Sequence, residues 1–434
     1  MQTALVARTA KKVSPLLGSL GTDKKNAALG EILTALLAAG SRISEANEKD
    51  LRAAEESGQQ TPLLKRLKFD EAKLREACAG IESLIKLPDP SGRVLSAREL
   101  DEGLRLYQVS CAIGVIGVIF ESRPDALVQI SSLCLKSGNA VILKGGREAF
   151  HTNKALFEVI REASARSGVP EGWIGLLETR EDVAELLSLS KDVDLIIPRG
   201  SNEFVRHIIQ NSLIPVMGHA DGICHIFIDE KADPSMAEKI VLDAKTQYVA
   251  VCNALETLLV HRKAAAEVLP RLQKALEAKG VEIRGCEQTR EIISCKSAAE
   301  EDWKTEYLDL ILAIKVVGSL DEAIEHINTY GSRHTDGIIT GDAAAASRFL
   351  ELVDSADVFW NASTRFADGY RYGLGAEVGI STAKIHARGP VGLEGLVIYK
   401  WRLYGNGHIT SDYAEGLKAF THKDIPPRLP PCEI

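Results

Sequence analysis

Over residues 24–39 apolar side chains recur every three or four positions, the spacing of one helix face, and Thr22 stands before them as a candidate N-cap. The same period predicts helices over 43–56 and 70–85, so residues 1–86 read as a helical block. The turn-forming run Leu87-Pro-Asp-Pro-Ser-Gly92 closes it. The pattern then changes. Short apolar runs at 115–120, 140–143, 173–177, 195–197 and 225–228 alternate with amphipathic stretches such as 149–167 and 202–211. That alternation predicts βαβ units and a parallel sheet covered by helices. It resumes after Asp233, with helices expected over 234–245, 263–278, 320–329 and 343–352. Strands are expected at 257–260, 281–283, 310–317, 337–339 and 358–360, which makes a second α/β domain. Residues 396–404 alternate as a strand does, and the Pro-rich end 425–434 is expected to be loose.

A chain of 434 residues is too long for one ordinary core, so two or three domains are expected. With 45% hydrophobic and 26% charged residues, the composition is that of a folded protein. The net charge of −8 and the lack of a Lys/Arg-rich run argue against a nucleic-acid partner. No apolar run reaches the ~20 residues of a membrane helix. The N-terminus has no apolar signal core with a cleavage site, so a cytoplasmic protein is expected. The eight cysteines (Cys78, Cys111, Cys134, Cys224, Cys252, Cys286, Cys295 and Cys432) form no C-x-x-C pair, against a disulfide framework or structural zinc. The ten histidines do not fall at ligand spacing, His219 and His225 being the nearest pair of interest, and no metal is expected.

Chemistry concentrates where strands end. Cys252, in Tyr248-Val-Ala-Val-Cys-Asn-Ala-Leu-Glu256, sits between a helical pattern and a strand. An ordinary thiol is only about 3% thiolate at neutral pH, so a nucleophile there needs oriented amides or a cation. The alternative is a buried, inert cysteine. Gly200 and Ser201 follow a strand and open a helix, where free N–H groups and the helix dipole suit a phosphate, although Ser201 also fits a plain cap. Arg123 follows the strand in Gly114-Val-Ile-Gly-Val-Ile-Phe-Glu-Ser-Arg-Pro-Asp125, in reach either of an anionic ligand or of Glu121 and Asp125 as salt-bridge partners. Lys144 and Arg147 follow another strand and suit a ribose or 2′-phosphate. A G-x-G-x-x-G fingerprint opening a helix is missing. The stretch 360–392 is the richest, with Asn361, Ser363, Thr364, Arg365, Asp368, Glu377 and Arg388 among many glycines, the composition of a functional loop.

Seven segments carry a resemblance: GVIGVIFESRPD, GNAVILKGGREA, IIPRGSNEF, IPVMGHADG, VCNALETLLV, HTDGIIT and WNASTRFADGYRYGLGAEVGISTAKIHARGPVGLEGL. Together they resemble the γ-glutamyl phosphate reductase family of the aldehyde dehydrogenase superfamily, over nearly the whole chain. The chain also looks like the reductase half of bifunctional synthases that carry a glutamate kinase, but it begins with Met at the reductase domain and is expected to hold no kinase. The resemblance implies an α/β, aldehyde dehydrogenase-like fold with two parallel-sheet domains plus a small oligomerisation element. It implies an NADP-binding domain over 1–102 and 110–225 and a catalytic domain over 226–393. Residues 103–109 and 394–434 become the oligomerisation element and tail of a homo-oligomer.

The implied reaction is reduction of L-glutamyl 5-phosphate by NADPH to L-glutamate 5-semialdehyde, the second step of proline biosynthesis, with a glutamate 5-kinase as a hand-over partner. Cys252 becomes the nucleophile, with Arg123 and Asn361 beside it. Gly200 and Ser201 meet the cofactor pyrophosphate, Glu306 the nicotinamide ribose and Lys144 the adenosine ribose. Ser363, Thr364 and Arg365 are candidates for holding the substrate. Arg123 stands near where oxidising members have an oxyanion-holding Asn, which suits a phosphate leaving group. The segment Val216-Met-Gly-His-Ala-Asp221 lacks the Glu that activates water in those enzymes. Arg147 stands where an acidic residue would hold the ribose of NAD, which favours NADP. An oxidising aldehyde dehydrogenase and a silent scaffold on the same fold are the competing readings.

Overall fold

The structure, a computed structural model, describes residues 2–59, 61–179 and 181–429. Helices Gln2–Gly18, Thr22–Ala38, Gly40–Glu56, Thr61–Leu67 and Glu71–Lys86 form the expected helical block. Thr22 is not a cap but the first helical residue. Gly21 takes the cap position, and the Thr22 hydroxyl donates to Asp89 at 3.1 Å. The buried Lys25 reaches the same carboxylate at 2.9 Å, which ties the helix to the turn cluster.

Four parallel strands follow, in spatial order Ile174–Leu177, Ala140–Lys144, Val115–Phe120 and Leu195–Arg199. The two central strands are buried along their whole length, as in a sheet covered on both faces. One core joins them to the helical block through Ile32, Leu36, Ile81, Ile116, Val118 and Val141.

The second sheet has seven parallel strands, in spatial order Lys296–Ser297, Glu282–Gly285, Ile311–Val317, Leu255–His261, Cys224–Ile228, Thr335–Ile339 and Asp357–Trp360. Alternate residues along a strand point to opposite faces, so it has two cores. Leu258 and Val260 pack with Leu269 and Leu312 on one side, and Phe227 and Leu259 with Ile327 and Phe349 on the other.

Three boundaries differ from expectation. The strand expected near 103–109 runs from Leu104 to Ala112 and pairs with Val94–Asp101 across a turn in which Gly103 adopts φ 75°, so residues 94–102 belong to the antiparallel element and not to the first domain. That element is completed by Val397–Tyr404 and by Lys423–Asp424. Val378, Val391, Leu393 and Leu396 enter the first core rather than that of the second domain, because the chain crosses back and Asn139 donates to the Leu396 carbonyl at 2.8 Å. Finally, the expected loose tail is partly fixed. Ile425 and Leu429 pack beside Tyr107, while residues 430–434, with Cys432, lie outside the described residues.

Candidate active site

The strands Val115–Phe120 and Leu195–Arg199 end side by side, Phe120 opposite Arg199. Arg123 follows the first and caps the helix Pro124–Ser137, and Gly200 and Ser201 follow the second and open the helix Asn202–Asn211. The second domain meets these carboxyl ends with the amino ends of its own strands. Cys252 precedes Leu255–His261, and His334 precedes Thr335–Ile339. The strand Cys224–Ile228 lies between those two. A cavity of about 590 Å³ opens between the domains, with Arg123, Arg199, His219, Cys252, Glu306 and Arg365 in its walls.

Cys252 is half-buried, and its Sγ lies 3.1 Å from His334 Nε2. The other ring nitrogen, Nδ1, is 2.8 Å from Thr335 Oγ1. His219 meets the His334 ring edge-on at 4.8 Å, with its own Nδ1 2.9 Å from the Ile380 carbonyl. The Cys224 thiol donates to the Cys252 carbonyl at 3.2 Å, and burial pushes that thiol well above its ordinary value, so it stays protonated. Gly222 is required here: a Cβ would lie 2.1 Å from the Cys252 carbonyl oxygen. The sulfur of Cys252 and one nitrogen from each of His219 and His334 lie within 4.8 Å of one another. Spacing along the chain predicted no such cluster; folding makes one from three separate segments. The 3.1 Å contact is a hydrogen bond, which makes the group an acid–base site around the thiol.

The charges are arranged for an anion. Neither the Arg123 nor the Arg199 guanidinium has a hydrogen bond or ion pair among the described residues, so the salt-bridge alternative for Arg123 is not realised. Burial holds Arg199 below its usual value, with Arg123 beside it acting in the same direction and Glu377, Asp125 and Cys252 opposing. Arg365 is likewise lowered by burial and keeps one bond, from Nε to Gln247 Oε1 at 3.0 Å. Glu306 and Glu377 are both raised by burial, which reduces the negative charge they present to the cavity.

Arg123, Gly200, Ser201, Cys252, Glu306 and Arg365 all line the cavity. Asn361, Ser363 and Thr364 do not, and those three expectations are corrected. Asn361 turns the chain off the last strand with φ 54° and spends both ends of its amide on the Thr340 backbone, at 2.9 and 3.0 Å. Ser363 caps a short 3-10 turn by accepting from the Arg365 N–H at 3.3 Å. Thr364 is fully buried. Lys144 is buried with its Nζ 2.5 Å from the Gly145 carbonyl, and Arg147 is exposed. Lys144 ends and Arg147 follows the strand on the far side of Val115–Phe120 from Leu195–Arg199, and neither lines the cavity.

Ser201 makes no side-chain cap bond. Its N–H donates to Glu121 Oε2 at 3.0 Å, so this helix start already holds an anion, a carboxylate standing where a phosphate oxygen would. Gly200 leaves no room for a side chain, since a Cβ would come within 2.5 Å of the same oxygen. A helix start whose N–H bonds a carboxylate oxygen has the chemistry to take a phosphate oxygen in its place. Sequence reasoning missed His334 and Arg199, named Glu377 only as part of the polar loop, and set His219 aside as a core or surface histidine. Two signals were available: HTDGIIT opens with His334, and Arg199 immediately precedes the Gly-Ser pair.

The model of the aldehyde dehydrogenase family matches residues 36–289. A γ-glutamyl phosphate reductase from Pelotomaculum thermopropionicum is 63% identical over 420 residues, 97% of each chain. Another, from Acetivibrio thermocellus, is 61% identical and spans 99% of this chain and 100% of its own. The crystal structure of the Thermotoga maritima γ-glutamyl phosphate reductase superposes with a TM-score of 0.93 at 42% identity, covering 94% of this chain and 100% of that one. The chain belongs to the aldehyde dehydrogenase family and, within it, to the γ-glutamyl phosphate reductases.

Proposed function

We propose that this protein reduces L-glutamyl 5-phosphate to L-glutamate 5-semialdehyde and phosphate with NADPH, in proline biosynthesis, through a thioacyl intermediate on Cys252. The observation that carries the reading is a half-buried thiol in a cavity whose walls hold two guanidiniums, Arg123 and Arg199, with no hydrogen-bond or ion-pair partner among the described residues. The thiol attacks the acyl carbon, and the arginines hold the phosphate as it leaves. A guanidinium suits that task because its planar fork pairs bidentately with phosphate. Arg365 is a further cation in the cavity wall and suits the substrate's α-carboxylate.

When bound, NADPH supplies hydride to the thioester carbon. Gly200 and Ser201 would hold its pyrophosphate and Glu306 the nicotinamide ribose. Lys144 and Arg147 would meet the adenosine end, where Arg147 favours the 2′-phosphate of NADPH over NADH. The acyl phosphate would come from a glutamate 5-kinase.

A homo-oligomer is proposed on the strand Val397–Tyr404. It pairs on one edge only among the described residues, and Ile398, Tyr399, Trp401 and Leu403 stand exposed on it. A cytoplasmic location is proposed with it. No single described helix is long and apolar enough to cross a membrane, and the bent pair Thr22–Ala38 and Gly40–Glu56, which passes by length and composition, lends Leu29, Ile32 and Ile43 to the first core.

The test runs the reaction backward. With the semialdehyde and NADP⁺, turnover should depend strongly on phosphate, and arsenate should replace it. General-base help to water is worth about 10²–10⁴-fold, so without it the thioester should hydrolyse slowly. Sustained phosphate-independent release of glutamate would overturn the acyl-phosphate reading and favour an oxidising dehydrogenase.

A further inference from the structure

His334 is fully buried, yet it touches the reacting atom. It stands just before the strand Thr335–Ile339 and does not line the cavity that Cys252 lines, so the ring reaches the sulfur from within the fold. A neutral imidazole has one N–H and one lone pair. In the tautomer that gives its Nδ1–H to Thr335 Oγ1 at 2.8 Å, the Nε2 lone pair faces Sγ at 3.1 Å. The Cys224 thiol lies 3.8 Å from the same Nδ1 but is directed to the Cys252 carbonyl, so it does not compete for the ring. The edge of His219 closes another side.

We propose that His334 is a catalytic residue of this site, the base that takes the Cys252 proton as the thiol attacks and gives it back when the thiolate is expelled. The proposal rests on reading Cys252 as the nucleophile. In the first half, the S–H proton moves to Nε2, the S–C bond forms and the C–O bond to phosphate breaks. The departing phosphate takes its proton from solvent and leaves as the hydrogen phosphate dianion. In the second half, after hydride has reduced the thioester carbon, the C–S bond breaks and its electron pair returns to sulfur. The sulfur then recovers the proton from Nε2. One solvent proton is consumed per turnover, and the dyad returns to its starting state. His334 is an imidazolium while the acyl group sits on sulfur, so it has no lone pair to activate water at that stage. The residue that makes the thiol nucleophilic thus also keeps the intermediate from hydrolysing.

The test is alkylation of Cys252 by iodoacetamide in the full chain, followed by mass of the Cys252 peptide between pH 6 and 10. Wild type is compared with His334→Gln. The other charged or titratable groups around the thiol are His219, Cys224, Arg199 and Arg365, and both proteins share them. At pH 7 the variant should react about tenfold more slowly, since an unassisted thiol is only about 3% ionised. The two rates should converge near pH 10, where the thiol ionises unaided. Equal rates at pH 7 overturn the proposal, as does a gap that persists at pH 10, which marks a packing defect. Thr335→Val, which removes the acceptor for Nδ1 with little change of shape, gives a second reading should His334→Gln fail to fold. An intermediate rate is expected, and an unchanged one overturns the proposal. If protein alkylated at Cys252 still turns over, the nucleophile reading falls, and the dyad with it. Loss of turnover with equal alkylation rates removes the dyad alone.

Discussion

Two segments of the second domain invite comparison, the glycine-rich loop after Trp360 and the amino end of the strand Thr335–Ile339. The loop is polar and conspicuous in the sequence. In the structure, Asn361 and Ser363 spend their polar atoms on nearby backbone, and Arg365 alone of the expected Asn361–Arg365 set reaches the cavity. The strand is buried along its length, yet it delivers His334 to the nucleophile. Polar side chains in an irregular loop are needed first to satisfy the backbone that left its sheet. A buried imidazole has no such duty, and one that contacts a thiol is there for the thiol. The lesson concerns partners: what a polar group already bonds decides whether it is free for chemistry.

The sharpest test of that contrast is Cys252→Ala, which should lower turnover by at least about 10³-fold while leaving the thermal midpoint and NADP⁺ binding near wild type. Residual activity within tenfold, in steady-state assays, would move the chemistry elsewhere. Arg123→Lys should lower kcat by more than about tenfold, because it keeps the charge and loses the fork. A normal kcat in the folded variant would return Arg123 to a structural role.

The third effect is on stability. Glu256, one strand position beyond the thiol loop, is buried against Lys245 at 2.6 Å and is pushed up to about 7 by burial, with Lys245 opposing. A carboxyl raised in the folded state holds its proton more tightly there than in the unfolded chain. Its contribution to stability is therefore full below about 4.5, the unfolded value. It is lost as pH rises through about 7. Urea unfolding at pH 5 and 7.5 should show that loss in wild type and not in Glu256→Gln. Where Glu256 is ionised, above about pH 7, the variant leaves the Lys245 charge without its counter-charge and should be less stable by about 3–5 kcal/mol. Parallel pH profiles would count against the raised carboxyl. The smallest effect on activity belongs to the loop. Asn361→Ala should keep kcat within about threefold while costing about 1–3 kcal/mol for the two lost backbone contacts. A collapse of kcat with intact folding would restore Asn361 to the catalytic set.

Most of the architecture was legible because strand and helix periods differ, and both parallel sheets follow from their alternation. That Arg123, Gly200 and Ser201 reach the cavity was legible, since each follows a strand and parallel sheets put ligands at carboxyl ends, whereas Cys252 stood out only at the junction before its strand. His334 and Arg199 were not singled out, and His219 was weighed only as a metal ligand and set aside. His334 sits in the polar stretch Ser332-Arg-His-Thr-Asp336 with nothing in the local pattern to set it apart, and its importance is a distance to a residue far away in the chain. The boundary at 94–102 was missed for a related reason. A strand on an antiparallel arm with one exposed face has the same alternation as the end of a loop, and only its pairing with Leu104–Ala112 distinguishes it.

The crossing-back of residues 378–396 has a consequence for the order in which the molecule is made. The seven-stranded sheet is assembled wholly from residues 224–360 and can close as soon as that stretch has left the ribosome. The first domain emerges earlier but lacks Val378, Val391, Leu393 and Leu396, and the strand Leu104–Ala112 lacks its neighbour Val397–Tyr404. Nascent domains generally fold in the order of synthesis. Here the half translated first is the half completed last. A nick or a premature stop after residue 377 would therefore leave the thiol's own sheet whole and open the core at the opposite end of the chain.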